Sequence, residues 1–273
     1  MLQDYMVPIA IVTVTGIIAA VVLTLAAKFM AVTVNESVAQ IYSVLPGVNC
    51  GACGFAGCEE YARQLAENSS IKPNLCTPGG ADVARKISTI LGIEFESVAG
   101  KYAIVKCSGT LDKTDYVMDF RGLQSCSANK LFYRGRGACF KACLGYGDCV
   151  KACNYDAISI VNGVAVVDKC SCVGCGLCVS RCPNDLIAII PSSSTVFVGC
   201  SSPDPAAVTR KACKAGCIAC KKCEKVCEFD AIKVENNIAT IDPEKCTNCG
   251  ACIAACPVGV IKTSEQLTVS NPV

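Results

Sequence analysis

Residues Cys217 to Pro257 read CIACKKCEKVCEFDAIKVENNIATIDPEKCTNCGACIAACP. The stretch holds two runs of one form, Cys217-x2-Cys220-x2-Cys223-x3-Cys227 and Cys246-x2-Cys249-x2-Cys252-x3-Cys256, the second closed by Pro257. The 273-residue chain carries 25 Cys and neither His nor Trp. Three chemistries organise so many thiols. Disulfide scaffolds belong to small, loop-rich exported domains. Zinc sites commonly mix His with Cys. Iron–sulfur clusters take all-Cys ligation from short Cys runs. The lack of His and the tight spacing select the third. Between the runs, AIKVENNIATID alternates apolar and polar residues around Asn236-Asn237, which predicts a β-hairpin.

Working outward, the same pattern occurs earlier. Cys126, Cys139, Cys143, Cys149, Cys153, Cys172, Cys175, Cys178 and Cys182 each recur 74 positions later, at Cys200, Cys213, Cys217, Cys223, Cys227, Cys246, Cys249, Cys252 and Cys256. Asp156-Ala157-Ile158 recurs as Asp230-Ala231-Ile232 and Pro183 as Pro257. A constant register over so many positions marks an internal repeat. The first copy has AISIVNGVAVVD, with Asn162-Gly163 as its hairpin turn.

The second copy resembles the bacterial two-cluster ferredoxins, in which the fourth Cys of each run ligates the other cluster. That resemblance implies that Cys217, Cys220, Cys223 and Cys256 hold one [4Fe–4S] cluster and Cys227, Cys246, Cys249 and Cys252 another. In the first copy Cys153, Cys172, Cys175 and Cys178 form a complete set. Its companion set has Cys143, Cys149 and Cys182 but Tyr146 where the second copy has Cys220. Either Cys139 or another nearby spare Cys supplies the missing ligand, or three thiols hold a [3Fe–4S] cluster. Cys107, Cys126, Cys170, Cys200 and Cys213 are left over; the reading is buried structural thiols beside the clusters, with ligation or a disulfide as the alternative. Each copy is expected to be a small α+β unit whose clusters serve as its core, since so short a segment buries little apolar area alone.

Toward the N-terminus, Val7 to Ala27 carries no charge. As a helix it is about 30 Å long, enough to cross a hydrocarbon core. Asp4 precedes it and Lys28 follows it, which places the remainder of the chain on the cytoplasmic side by the positive-inside bias. Low-potential clusters and free thiolates need the same reducing compartment. A short amphipathic helix is expected over Val34 to Leu45. Cys50-x2-Cys53-x4-Cys58-x17-Cys76 follows, with Gly51, Gly54 and Gly57 allowing the backbone to wrap a negatively charged cluster. The helix predicted after Cys58 brings Cys76 back to the first three ligands, and Ala81 to Gly92 reads as another helix.

Several functions are excluded. A net charge of +2 with no basic stripe gives nucleic acid no footprint. No glycine-rich dinucleotide fingerprint follows a strand. Nucleophilic catalysis of the Ser–His or Cys–His kind has no His to use. The single span has no internal ionisable residue, so this chain alone offers no ion path.

The order is thus an anchor, the CGACGFAGC module, and runs bearing GACFKACLGYGDCVKAC and CKAGCIACKKCEKVC. Over about residues 1 to 262 it resembles the B subunit of Rnf complexes, the membrane-bound ion-translocating ferredoxin:NAD+ oxidoreductases. The resemblance implies about five [4Fe–4S] clusters and electron exchange with soluble ferredoxin. It also implies partners in the membrane that carry flavins and further iron–sulfur centres, with Na+ or H+ transport by the complex. The chain itself is then an electron carrier, single-pass in the inner (plasma) membrane. The expected division is an anchor (1–30), a four-Cys domain (31–95), a connector (96–134), two ferredoxin-type modules (135–192 and 193–265) and a tail (266–273). Two rivals remain: a polyferredoxin component of a membrane hydrogenase or formate dehydrogenase, and an iron–sulfur redox sensor.

Overall fold

The computed structural model describes residues 2–29, 36–95, 97 and 100–264; the tail 266–273, and Val34 and Asn35 of the expected second helix, lie outside them. Helix α1 (Leu2–Phe29) contains the whole apolar span, and Ile9–Phe29 is long and apolar enough to cross a membrane. Thr13, Thr15 and Thr24 are tolerated in it because each hydroxyl donates to a carbonyl one turn back, at 2.9 Å from Ile9, Ile11 and Ala20. From Ile9 onward its side chains are exposed on every face.

Helices α2 (Glu36–Val44), α3 (Cys58–Glu67) and α4 (Gly80–Leu91) build the next unit. Their apolar faces meet in a core of Ile41, Tyr61, Ala62, Leu65 and Ile87, to which Cys58 and Cys76 belong. Helix α4 ends on Gly92, whose φ of 68° is the left-handed C-terminal cap that glycine adopts without strain.

Two copies of one topology follow. The first has β1 (Lys101–Val105), α5 (Cys126–Lys130), α6 (Asp148–Lys151), β2 (Ile158–Val161), β3 (Val164–Val167), α7 (Leu177–Arg181) and β4 (Ile187–Pro191). The second has β5 (Val196–Val198), α8 (Ala206–Ala212), α9 (Lys222–Val226), β6 (Ile232–Glu235), β7 (Ile238–Ile241), α10 (Ala251–Ala255) and β8 (Ile261–Thr263). In each copy the outer strands pair antiparallel, Val105 opposite Ile187 and Val198 opposite Ile261. The inner strands form the expected hairpins. Their turns place both central residues at positive φ, 46° and 81° at Asn162-Gly163 and 49° and 63° at Asn236-Asn237. This turn matches the strand twist, and Asn and Gly accept it.

The segment 96–134, read as a connector, supplies β1 and α5 to the first copy. Its strand fixes a register that differs from the 74-residue cysteine alignment. Lys106 N donates to Leu186 O at 2.7 Å, and Gly199 N donates to Val260 O at 2.8 Å. These are corresponding bonds, so the residue after each corresponds too: Cys107 matches Cys200. Cys126 sits on extra chain inserted between Cys107 and Cys139.

Each copy has a core built jointly of aliphatic side chains and thiols. Val105, Ile158, Val164, Leu186 and Ile187 pack with Cys149 and Cys178; Val198, Ile232, Val260 and Ile261 pack with Cys217, Cys223 and Cys252. Tyr102, Ile104 and Phe197 make a smaller apolar cluster between the copies, and Tyr102 donates to Ser194 O at 2.7 Å.

Candidate cluster sites

In the N-terminal unit the four thiols converge. Burial pushes the Cys76 thiol up to about 11, with Cys58, Cys53 and Cys50 close enough to add to the shift. Gly51 and Gly54 turn the loop at φ of 72° and 90°, conformations strained for other residues. Asn49 closes the loop by accepting from Cys58 N at 2.8 Å. Tyr61 holds the distal ligand: its hydroxyl donates to Lys72 O at 2.8 Å and accepts from Leu75 N at 3.3 Å, one residue before Cys76. Tyr61→Phe removes both hydrogen bonds, at about 0.5–1.5 kcal/mol each. The expected results are a lower unfolding midpoint and faster iron loss to a chelator from this unit. An unchanged rate of iron loss refutes that role.

In the first repeat Cys153, Cys172, Cys175 and Cys178 line one cavity. Burial raises Cys178 to about 11, and Cys172, Cys175 and Cys153 add to it. Ala103 N, on β1, donates to Cys172 Sγ at 3.4 Å. In the second repeat Cys223 is raised to about 11 by burial, outweighing the Glu224 amide, with Cys217, Cys256 and Cys220 adding. Burial also raises Cys252, beside Cys246, Cys249 and Cys227. Cys256 thus lies near the thiols of the first run and Cys227 near those of the second.

In the incomplete set of the first repeat a spare Cys other than Cys139 stands beside the three run thiols. One cavity is lined by Cys143, Cys149, Cys182 and Cys126. Burial pushes Cys149 up to about 12, with Cys143, Cys126 and Cys182 adding. Cys139 lies in another cavity. Tyr146 is not a wall of the Cys126 cavity; its ring stacks under the Arg136 guanidinium at 4.1 Å and against Phe120 at 6.1 Å. Cys126 is brought in by Asp148, the residue before Cys149. Its carboxylate accepts from Ser125 Oγ at 2.9 Å and from Ser127 N at 3.0 Å, so α5 and α6 start side by side. Burial works against the Asp148 carboxylate, but the Ser127 and Ser125 hydrogen bonds outweigh it and hold the carboxyl below its ordinary value. No sequence spacing announces Cys126; the signal available was the acidic residue at 148 facing a Ser-Cys-Ser turn.

The sets also adjoin one another. Burial raises the Tyr155 hydroxyl, and Cys175, Cys50, Cys76 and Cys153 are all near enough to add to the shift. Cys175 likewise senses Cys50. Cys143 N donates to Cys107 Sγ at 3.4 Å.

The donor sets fit iron–sulfur clusters. All 25 thiols are free of disulfides. Among the described residues, no group of three or more His, Cys, Asp or Glu closes down to the geometry of a single metal ion. A zinc ion needs all four sulfurs about 2.3 Å from one centre. Backbone amides aimed at sulfur are the donors that tune such clusters.

Comparison with known proteins agrees. The family described as "Putative Fe-S cluster" matches residues 45–78, which span Cys50 to Cys76, and the 4Fe-4S dicluster domain matches 216–260, which span Cys217 to Cys256. The chain is 40% identical over 255 residues to the B subunit of the ion-translocating oxidoreductase complex of Methanosarcina acetivorans, covering 93% of this chain and 96% of that one. The chain belongs to the family of Rnf B subunits. Two further members are similar along their length. The B subunit of the proton-translocating ferredoxin:NAD(+) oxidoreductase complex of Clostridium ljungdahlii is 40% identical, covering 93% of this chain and 90% of its own. That of the Na(+)-translocating complex of Acetobacterium woodii is 37% identical, covering 96% and 78%. As an Rnf B subunit with an apolar N-terminal helix, the protein is a membrane-associated iron–sulfur component of a larger complex.

Proposed function

We propose that the chain is the electron relay of an Rnf-type complex. It takes electrons from soluble reduced ferredoxin, or returns them, and passes them to membrane partners that carry flavins and further iron–sulfur centres. The complex as a whole couples ferredoxin:NAD+ oxidoreduction to Na+ or H+ movement. The iron–sulfur domains lie on the cytoplasmic side of the inner (plasma) membrane, with α1 as the single anchor. The observation that carries this reading is the grouping of the thiols into sets of four, with the N-terminal set next to the first repeat at Cys50 and Cys175.

Five sets belong to it: Cys50, Cys53, Cys58 and Cys76; Cys126, Cys143, Cys149 and Cys182; Cys153, Cys172, Cys175 and Cys178; Cys217, Cys220, Cys223 and Cys256; and Cys227, Cys246, Cys249 and Cys252. The two repeats are two ferredoxin-type modules, with the first beginning at β1. Clusters bound there supply one-electron transfer without bond making. The residues do the rest. The thiols fix the positions, backbone amides such as Ala103 N stabilise negative charge on sulfur, and Val105, Leu186, Val198 and Ile261 keep water from the sites.

Copurification tests the reading. From anaerobic membranes the chain is expected to bring down flavin-bearing partners, and the assembly to reduce NAD+ with reduced ferredoxin. Copurification with a hydrogenase or formate dehydrogenase overturns it.

A further inference from the structure

We propose that Cys107, Cys139, Cys200 and Cys213 hold a sixth four-iron cluster, which joins the two repeats. The inference rests on the reading that the other thiol sets hold clusters, and it extends that reading to a set the ferredoxin signature does not contain.

The four thiols line one cavity, as do the four thiols of each set in the first repeat. The set is also quasi-symmetric. Cys107 and Cys200 each stand two residues beyond the first strand of their repeat, after Val105 and Val198. Cys139 and Cys213 each stand four residues before the first Cys of a run, Cys143 and Cys217. Each repeat therefore contributes the same two positions.

Two sulfurs of the set accept backbone amides, Cys143 N reaching Cys107 Sγ at 3.4 Å and Ser202 N reaching Cys200 Sγ at 3.5 Å. The Lys141 and Ala215 amides lie close enough to Cys139 and Cys213 to favour their thiolates. The chain comes close enough only because of glycine. A Cβ on Gly109 would stand 3.3 Å from Cys213 Sγ and 3.7 Å from Cys107 Sγ, and one on Gly199 would meet Ser108 Oγ at 2.3 Å. Two hydrogen bonds clamp the repeats around the cavity, Thr114 Oγ1 to Ala212 O at 2.8 Å and Ser201 Oγ to Lys106 O at 3.2 Å.

The charge balance suits the same occupant. A [4Fe–4S]2+ core with four thiolates carries about −2. Lys106 and Lys141 line the cavity, Lys113 acts on Cys213, and Lys262 faces Cys107. On one side the set touches Cys143 of the Cys126 site; on the other, Cys200 is a close neighbour of Cys217. A cluster here closes the gap between the modules, so that electrons pass from one repeat to the other. Of the 25 thiols only Cys170, which is exposed, then lies outside a four-thiol set.

Iron and sulfide counting on the full chain, separated anaerobically from its partner subunits, tests the proposal. About 24 irons per chain are expected, four for each of six clusters. Cys139→Ser/Cys213→Ser is expected to lose about four of them, while Cys170→Ser loses none. About 20 irons in the unaltered chain, unchanged in the double variant, overturns the sixth site and leaves the relay standing. The unaltered count decides this even if the double variant does not fold. A zinc-loaded chain without iron overturns the sixth site and the relay together.

Discussion

Replacing Cys126 by Ser is expected to convert one four-iron centre to a three-iron centre. The chain loses about one iron, and a three-iron EPR signal appears in the oxidised protein. The reason is local. Cys143, Cys149 and Cys182 remain in the cavity, and Tyr146 is held away from it by Arg136 at 4.1 Å. The double variant Cys126→Ser/Tyr146→Cys is expected to regain the four-iron centre. Position 146 has the loop geometry of its counterpart Cys220: Gly145 and Gly147 have φ of 72° and 77°, and Ala219 and Lys221 have 51° and 58°. Moving Tyr146 out costs the stacking with Arg136, about 0.5–1 kcal/mol, small beside a recovered iron–thiolate bond. If Cys126→Ser leaves iron count and EPR untouched, Cys126 is not the ligand.

Stripping iron from the whole chain with chelator and oxidant is expected to unfold both repeats. Their strands are three to five residues long, paired in sheets of two, and two-stranded sheets are marginal in water. What the strands pack against is largely thiol: Cys149 and Cys178 in one core, Cys217, Cys223 and Cys252 in the other. Without metal nothing ties these thiols to a common centre, and burial keeps them protonated, with Cys149 pushed up to about 12. Iron takes the place of those protons, so its binding energy is folding energy. The loss is on the order of a small domain's entire stability, roughly 5–15 kcal/mol. Circular dichroism of the stripped chain should keep the signal of α1 in detergent and lose the strand signal of residues 100–264. A cooperative, native-like thermal transition in the iron-free repeats contradicts this account.

The sets that were legible in the sequence are those whose ligands sit in one tight run or whose crossing partner is fixed by the ferredoxin signature. Cys50 to Cys76 and the runs at Cys172 and Cys217 announce themselves because two- and four-residue spacings suffice to place thiols about one centre. The hairpins were legible for the same local reason, Asn162-Gly163 and Asn236-Asn237 between alternating strands. Cys126 and Cys107 were not. Cys107 is placed by β1, whose pairing partner β4 lies far along the chain, and five residues such as KYAIV carry too little pattern to show a long-range pairing. Cys126 rides on inserted chain that happens to stand 74 residues before Cys200, so the repeat in sequence paired the wrong thiols. Only hydrogen bonds from Lys106 to Leu186 and Gly199 to Val260 reveal the correspondence.

The pairing of β1 with β4 also sets a timetable for synthesis. Lys101–Val105 leaves the ribosome first, and Ile187–Pro191 follows only after the intervening chain is made, on the order of ten seconds at ~5–20 residues per second. Throughout that interval the nascent repeat has an open edge and a row of bare thiols. Cluster delivery in the cell must therefore keep pace with translation, and slowing it ahead of Pro191 would expose this protein to aggregation and oxidation before its partners ever meet it.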